Sequence, residues 1–153
     1  METEHHILEM DGLHWHVVTS GPKEAWPVLL LHCWSGNWKL WEPTMQRLDG
    51  KFRFIALEHL GFGQSDKPRG NHYGILEQAK HTKALMEKLG YQRFHLMGHS
   101  MGGQIALTLS ATYPESVSRL MVVDPAVDGK HLHPASYMLA PFMAATRRGI
   151  EFP

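Results

Sequence analysis

A serine flanked by glycines stands in the stretch GHSMGG, from Gly98 to Gly103. An apolar segment precedes it and a segment rich in small residues follows, which indicates a strand, a sharp turn and a helix. A serine in such a turn needs neighbours without bulky side chains, and the start of the helix favours negative charge that develops beside it. The pattern predicts Ser100 as a nucleophile for acyl transfer. The alternative is an ordinary glycine-rich turn between a strand and a helix.

A nucleophilic serine needs a histidine base that a carboxylate orients. Asp124 closes the apolar segment SRLMVVD and is the candidate acid, although an aspartate before proline also serves as a turn or helix-capping residue. Four histidines follow predicted strands and are candidate bases: His32, His59, His131 and His133. We take His133 as the base because it and His131 lie nearest to Asp124 in sequence. A histidine from a second subunit and an incomplete, inactive site are the other possibilities.

Paired histidines also occur at a spacing that can bind zinc, in His14-x-His16 and His131-x-His133. Neither pair has a cluster of Cys, Asp or Glu at ligand spacing. We therefore predict surface histidines, with no metal site and no cofactor.

The elements around these residues follow an alternating pattern. Asp11-Gly12 between two segments of period two predicts a hairpin. Short apolar runs, typical of buried parallel strands, alternate with segments of helical spacing. They predict an α/β fold in which a mostly parallel sheet carries helices on both faces, a three-layer sandwich.

Two further stretches stand in order with GHSMGG, namely LLLHCWSGNWKLWEP (29–43) and LGFGQSDKP (60–68). Together the three motifs resemble the α/β-hydrolase superfamily, in particular its serine esterase and lactonase branch. The resemblance implies that the backbone N–H groups of Trp34 and Met101 form the oxyanion hole. The chain departs from the family pattern with Cys33 where glycine is usual and with Glu58 where aspartate is usual.

The resemblance also bears on the substrate. Dehalogenases and epoxide hydrolases of this superfamily use an aspartate nucleophile, so a serine favours esters, lactones, thioesters and activated C–C bonds. Trp34, Trp38, Trp41 and Met101 near the expected pocket suggest a small, apolar ester or lactone, and an acyl-homoserine lactone fits this description. The competing interpretation is a binding or interaction protein that keeps the fold with an incomplete triad.

In this superfamily the usual acid follows a seventh strand and the histidine follows an eighth, and neither strand is evident after Asp124. We therefore expect a shortened hydrolase fold that lacks the last strands, with a core at 1–130 and a helical, lid-like or interface segment at 131–153. The apolar strand at Leu120–Val123 would then form an exposed edge, which predicts a homodimer or a domain-swapped assembly.

Composition narrows the partners and the compartment. Lys plus Arg and Asp plus Glu both number 15, so the chain has no charge bias toward nucleic acid or an anionic membrane. The single cysteine is typical of a reducing compartment, and we find no signal-peptide pattern and no apolar run of about 20 residues. We expect a cytoplasmic protein whose ligand is a small molecule.

Overall fold

The computed structural model describes residues 1–126. The strands are β1 (Thr3–Met10), β2 (Leu13–Ser20), β3 (Pro27–Leu31), β4 (Arg53–Leu57), β5 (Phe94–His99) and β6 (Val117–Val123). The helices are α1 (Glu42–Arg47), α2 (Ile75–Lys88) and α3 (Met101–Thr112), and two 3₁₀ turns span Trp38–Trp41 and Pro114–Ser116.

The six strands form one sheet in the order β1-β2-β4-β3-β5-β6. β1, β2 and β4 pair antiparallel, whereas β4, β3, β5 and β6 run parallel. The predicted hairpin joins β1 to β2, and Asp11 and Gly12 adopt φ values of 54° and 73° there. Positive φ at both central residues is what a two-residue hairpin turn requires. The predicted α/β class and the mostly parallel sheet are confirmed.

Helices cover both faces of the sheet, as the sequence predicts. On one face α2 and α3 pack on Trp15, Leu29 and Leu96, and on the other α1 packs on Leu30 and Phe54. The inward residues of α3 are those that the helical spacing predicts: Ile105, Ala106 and Leu109. One residue differs in α2, because Leu76 shares the helical spacing of the core residues but lies exposed.

Two tryptophans expected near the pocket belong to the core instead. Trp38 and Trp41 are buried with Met45 of α1 on the second face of the sheet. The prediction that they line a substrate pocket is therefore wrong. The reason is that the 3₁₀ turn at Trp38–Trp41 lies against β3 and β4 and turns both indoles inward.

The parallel strands place four loops at one edge of the sheet. Because β3, β4, β5 and β6 share a direction, the segments after Leu31, Leu57, His99 and Val123 all leave at their carboxyl ends, where α/β proteins bind ligands. Among the described residues no helix has the length and hydropathy to span a membrane.

Candidate active site

Ser100 occupies the turn between β5 and α3 in a conformation that is rare for serine. Its φ is 53° and its ψ is −114°, and a non-glycine residue at positive φ costs on the order of 1–3 kcal/mol. The backbone around it holds this conformation. Ser100 N–H donates to the Val123 carbonyl (3.0 Å), and its own carbonyl accepts from the N–H groups of Gln104 (3.0 Å) and Ala126 (3.1 Å).

The glycines of the motif allow α3 to approach the sheet closely. A Cβ at Gly98 would lie 2.3 Å from the Gly102 carbonyl oxygen, and one at Gly102 would lie 2.3 Å from the Leu31 carbonyl oxygen. Gly103 is less crowded, since its Cβ would lie 3.0 Å from Pro125 Cβ. Gly98 is therefore required by the close approach of β5 to the start of α3, and Gly102 by the packing of α3 against the end of β3.

Asp124 follows β6 directly, and the residue before it, Val123, is hydrogen-bonded to the serine turn. It is exposed and adopts a φ of 41°. Its neighbours Val123 and Ala126 bond to the two backbone groups of Ser100, so the segment 123–126 is fastened to the turn. The structure thus brings the backbone of the candidate acid close to Ser100, and its role as the acid stays a prediction.

The loop after β3 contains the candidate oxyanion residue Trp34. It forms a tight turn closed by Gly36 N–H donating to the Cys33 carbonyl (3.0 Å), with Ser35 at a φ of 59°. The positive φ that this loop needs falls on Ser35. Cys33 therefore stands in the place of the family's glycine without needing positive φ itself.

Trp34 and Met101 keep their backbone N–H groups available. Met101 is the first residue of α3, where an N–H has no acceptor within the helix. Within residues 1–126 neither N–H donates to a backbone carbonyl. The carbonyl oxygens of Leu31 and His32 lie at α3's first turn, against Gly102, which places the Trp34 loop beside the helix start.

His32 joins two of the loops at the edge and is fixed in one tautomer. The His59 N–H donates to His32 Nε2 (3.1 Å), so Nε2 carries no proton, and Nδ1 must then donate to the Cys33 carbonyl (2.7 Å). Burial lowers the pKa of His32 to about 4, against smaller opposing effects of the Cys33 hydrogen bond and the Glu58 charge. Both nitrogens are engaged, so we exclude His32 as the base.

His59, the second candidate base within the described residues, lies in the interior. It is fully buried at the end of β4, and neither ring nitrogen has a hydrogen-bond partner among the described residues. Its ring packs against that of His32 at 4.6 Å, and burial together with this neighbour holds its pKa well below the usual range. A buried, neutral imidazole thus lies beneath the loops at the carboxyl ends of the strands, and no pattern in the sequence predicts it.

A buried carboxylate–histidine pair supports the Glu58 loop. Glu58 Oε2 accepts from His16 Nδ1 (2.8 Å) and from the Gln64 N–H (2.7 Å), and His16 Nε2 lies 2.9 Å from His5 Nδ1. The prediction that His16 is a surface residue is wrong, because Glu58 compensates its burial.

The other histidine of that motif, His14, faces outward and pairs with Asp66 at 3.0 Å. The two histidines of His14-x-His16 are thus hydrogen-bonded to different carboxylates, Asp66 and Glu58. In the described part of the chain no group of three His, Cys, Asp or Glu side chains is arranged to hold a metal ion.

The remaining candidate bases, His131 and His133, lie outside the described residues, as does the proposed segment 131–153. Those assignments, and the division of the chain at residue 130, stay predictions.

Comparison with known proteins identifies the family. The sequence profile of the alpha/beta hydrolase fold matches residues 27–146. The chain belongs to this family. Strands β3 to β6, the serine turn and the loops at the carboxyl ends of these strands lie within the matched range.

Several relatives of this alpha/beta hydrolase family member are named as hydrolases. Epoxide hydrolase 4 of Mus musculus is 31% identical over 141 residues, which are 88% of this chain and 39% of the relative. A serine hydrolase-like protein of Danio rerio is 34% identical over 117 residues, or 76% of this chain and 34% of the relative. The chain therefore spans between a third and two fifths of the length of these relatives.

Solved structures agree with the fold. A membrane phospholipase A described as a bacterial virulence factor superposes with a TM-score of 0.78 at 30% identity, over 80% of this chain and 40% of its own. The N-acyl homoserine lactonase AidH, solved with N-hexanoyl homoserine, gives a TM-score of 0.74 at 27% identity, over 81% of this chain and 46% of its own.

Proposed function

We propose that this protein is a serine hydrolase that cleaves a carboxylic ester or a lactone through an acyl-enzyme at Ser100. The observation that carries the proposal is the backbone of Ser100, which is held at positive φ by hydrogen bonds to Val123, Gln104 and Ala126. Strain of this kind persists only where surrounding contacts impose it, and it occurs at functional sites.

The proposed reaction assigns a role to each group at the edge. Ser100 Oγ attacks the acyl carbon while a histidine takes its proton, and the Trp34 and Met101 N–H groups stabilise the oxyanion. Collapse of the tetrahedral intermediate breaks the ester C–O bond, and the alcohol or the opened lactone oxygen receives the proton. Water then hydrolyses the acyl-enzyme. We assign the base to His133 and its orienting carboxylate to Asp124.

The relatives support a hydrolase and are compatible with this substrate class. Several are named epoxide hydrolases, but Ser100 occupies the position where that branch uses aspartate, and a serine alkoxide suits acyl transfer. AidH and a second neighbour, Est816, which is described as degrading N-acyl homoserine lactones, favour a lactone substrate. We further propose a cytoplasmic location, because the chain has one cysteine.

A second function is a binding protein without hydrolytic activity. Two histidines favour it. Both ring nitrogens of His32 are hydrogen-bonded, and His59 is fully buried. Neither described edge histidine is therefore free to activate Ser100. The binding hypothesis requires that no histidine from 127–153 or from a second subunit reaches the serine.

Hydrolysis assays with matched variants distinguish the two functions. We expect the protein to cleave p-nitrophenyl butyrate and N-hexanoyl homoserine lactone, and Ser100→Ala to lose the activity by at least about 1000-fold. Ser110→Ala, in the same helix, is the control and should match the unmodified protein. His133→Ala should lose activity as Ser100→Ala does. Activity that persists in Ser100→Ala would reject the serine mechanism, and no activity in any form would favour the binding function.

A further inference from the structure

Four rings are in contact one after the other, from the surface into the interior at the carboxyl ends of the strands: Trp34, Phe62, His32 and His59. We call this series the stack. The Trp34 ring meets the Phe62 ring edge-on at 5.3 Å, and Phe62 meets His32 edge-on at 5.5 Å. His32 in turn packs on His59 at 4.6 Å. Edge-to-face pairs within about 7 Å are favourable beyond the area that they bury. The stack joins the loop after β3 to the loop after β4.

The inner half of this stack is rigid. His32 is fixed by hydrogen bonds to both loops, and the Phe62 backbone is held in consecutive turns, with its N–H bonded to the His59 carbonyl (3.0 Å) and its carbonyl bonded to the Ser65 N–H (3.1 Å). Phe62 therefore lies on a fixed base. A preorganised apolar surface binds a ligand with little loss of conformational entropy.

The outer ring is exposed where the substrate has to approach. The Trp34 side chain is 46% exposed although it is large and aromatic. It belongs to the residue whose N–H we assign to the oxyanion hole, two residues beyond His32, whose carbonyl lies against the first turn of α3. An exposed aromatic ring beside a reactive group is a typical contact for an apolar part of a ligand.

We propose that Trp34 and Phe62 form the surface that binds the apolar acyl chain of the substrate, so that the enzyme prefers medium-chain acyl groups over acetyl. The inference rests on the proposed serine hydrolase function and adds a specificity-determining residue, Phe62. An acyl chain extending from the carbon that Ser100 attacks passes the Trp34 loop, because that loop supplies the oxyanion donor. Contact with both rings then removes apolar surface of the acyl chain and of the Trp34 side chain from water.

The test compares kcat/KM for p-nitrophenyl acetate and p-nitrophenyl octanoate. We expect the octanoate-to-acetate ratio to fall about tenfold in Phe62→Ala, the scale at which an apolar pocket discriminates between chain lengths, and to fall less in Phe62→Leu. Trp26→Ala is the matched control. Trp26 is 45% exposed and also packs on a ring, that of His95, but it precedes β3 at the opposite end of the sheet. Its ratio should stay unchanged. An unchanged ratio in a folded Phe62→Ala, or an equal fall in Trp26→Ala, would overturn the proposal.

A binding measurement separates this inference from the proposed function. Octanamide is a neutral analogue of the acyl product, and saturation-transfer NMR reports its contact with the protein without turnover. We expect transfer to the octanamide chain in the unmodified protein and in Ser100→Ala, and its loss in Phe62→Ala. Binding without ester hydrolysis would reject the hydrolase and support the acyl surface. Hydrolysis with octanamide contacts that persist in Phe62→Ala would reject the acyl surface alone.

Discussion

At the scale of single residues, the edge of the sheet depends on histidines that are kept neutral. His32 can bridge Cys33 and His59 only in the Nδ1–H tautomer, since a protonated ring could not accept the His59 N–H. Protonation of His32 would break the connection between the loop that carries Trp34 and the loop after β4. The position of the loop that carries Trp34 is therefore linked to pH.

This linkage predicts a loss of stability in acid. The folded pKa of His32 is about 4 and the usual value is 6.5, so the unfolded chain binds more protons between these values and stability falls as the pH drops through this window. Complete protonation would cost roughly 3 kcal/mol. Urea unfolding between pH 7 and pH 4 measures the slope. His32→Asn, which keeps a donor for the Cys33 carbonyl, should make it shallower and leave the part that His59 contributes, because the pKa of His59 is lowered as well. A slope that is equal in His32→Asn would contradict the assignment.

Glu58 provides a second prediction at this scale. Removing it leaves the buried His16 Nδ1 without its hydrogen-bond partner, and a buried polar group left unsatisfied costs about 1–3 kcal/mol. We expect Glu58→Ala to lower the free energy of unfolding in urea by this amount at pH 7. His14→Ala, which removes the exposed pair with Asp66, is the control and should cost less than about 1 kcal/mol. If both variants lost the same free energy of unfolding, the burial of the Glu58–His16 pair would not explain its contribution to stability.

At the scale of elements, the contact between α3 and β3 fixes the serine turn. A methyl group at Gly102 would lie 2.3 Å and 2.6 Å from the carbonyl oxygens of Leu31 and His32. Because both are backbone atoms, they cannot move aside as the end of a flexible side chain could. The start of α3 and the loop that carries Trp34 are thus kept close by Gly102, where no side chain larger than hydrogen fits.

We therefore expect Gly102→Ala to displace α3, to cost about 1–3 kcal/mol of stability and to lose the activity of the folded fraction. Gly74→Ala, at the start of α2, is the control, since a Cβ there meets nothing within 4 Å and the backbone φ is −62°. Thermal unfolding followed by circular dichroism and the ester assay check both variants. A stable and active Gly102→Ala would contradict the close packing.

How far the sequence predicts these elements depends on the range of the interactions. The Asp11-Gly12 turn, the strands and the Ser100 turn follow from local spacing, because period and turn chemistry act between near neighbours. The burial of Trp38 and the pairing of His16 with Glu58 do not, since each depends on contacts across the sheet between residues distant in the chain. Such contacts place polar groups inside without any mark in the local pattern.

The candidate site divides in the same way. Motifs that resemble the family place Ser100, Trp34 and Met101 on loops that meet at the carboxyl edge. The tautomer of His32 and the aromatic contact of Phe62 arise only when the loops after β3 and β4 come together. A sequence pattern carries no information on such a meeting between loops.

At the scale of the whole molecule, the predicted assembly depends on β6. Within the described residues it pairs only with β5, and three of its apolar side chains are between 38% and 55% exposed: Leu120, Met121 and Val123. An apolar edge strand is a template for pairing with another chain. The homodimer or domain-swapped assembly therefore stays a prediction with a defined surface.

Sedimentation velocity tests this prediction. We expect a dimer at micromolar concentration, and we expect Met121→Lys to shift the protein toward monomer because a charge on the edge disfavours strand pairing. Leu76→Lys places the same charge on an exposed apolar residue of α2 and is the control. A clean monomer for the unmodified protein would contradict the assembly.

The central claim, that Ser100 is an activated nucleophile, is tested most directly by covalent labelling. A serine-directed alkyl fluorophosphonate forms a stable adduct only with a serine whose proton is removed, and mass spectrometry of the digested protein locates it. We predict one adduct, on Ser100, that is absent from Ser100→Ala and retained in Ser110→Ala. An unlabelled protein, or an adduct elsewhere with Ser100 unmodified, would contradict the account.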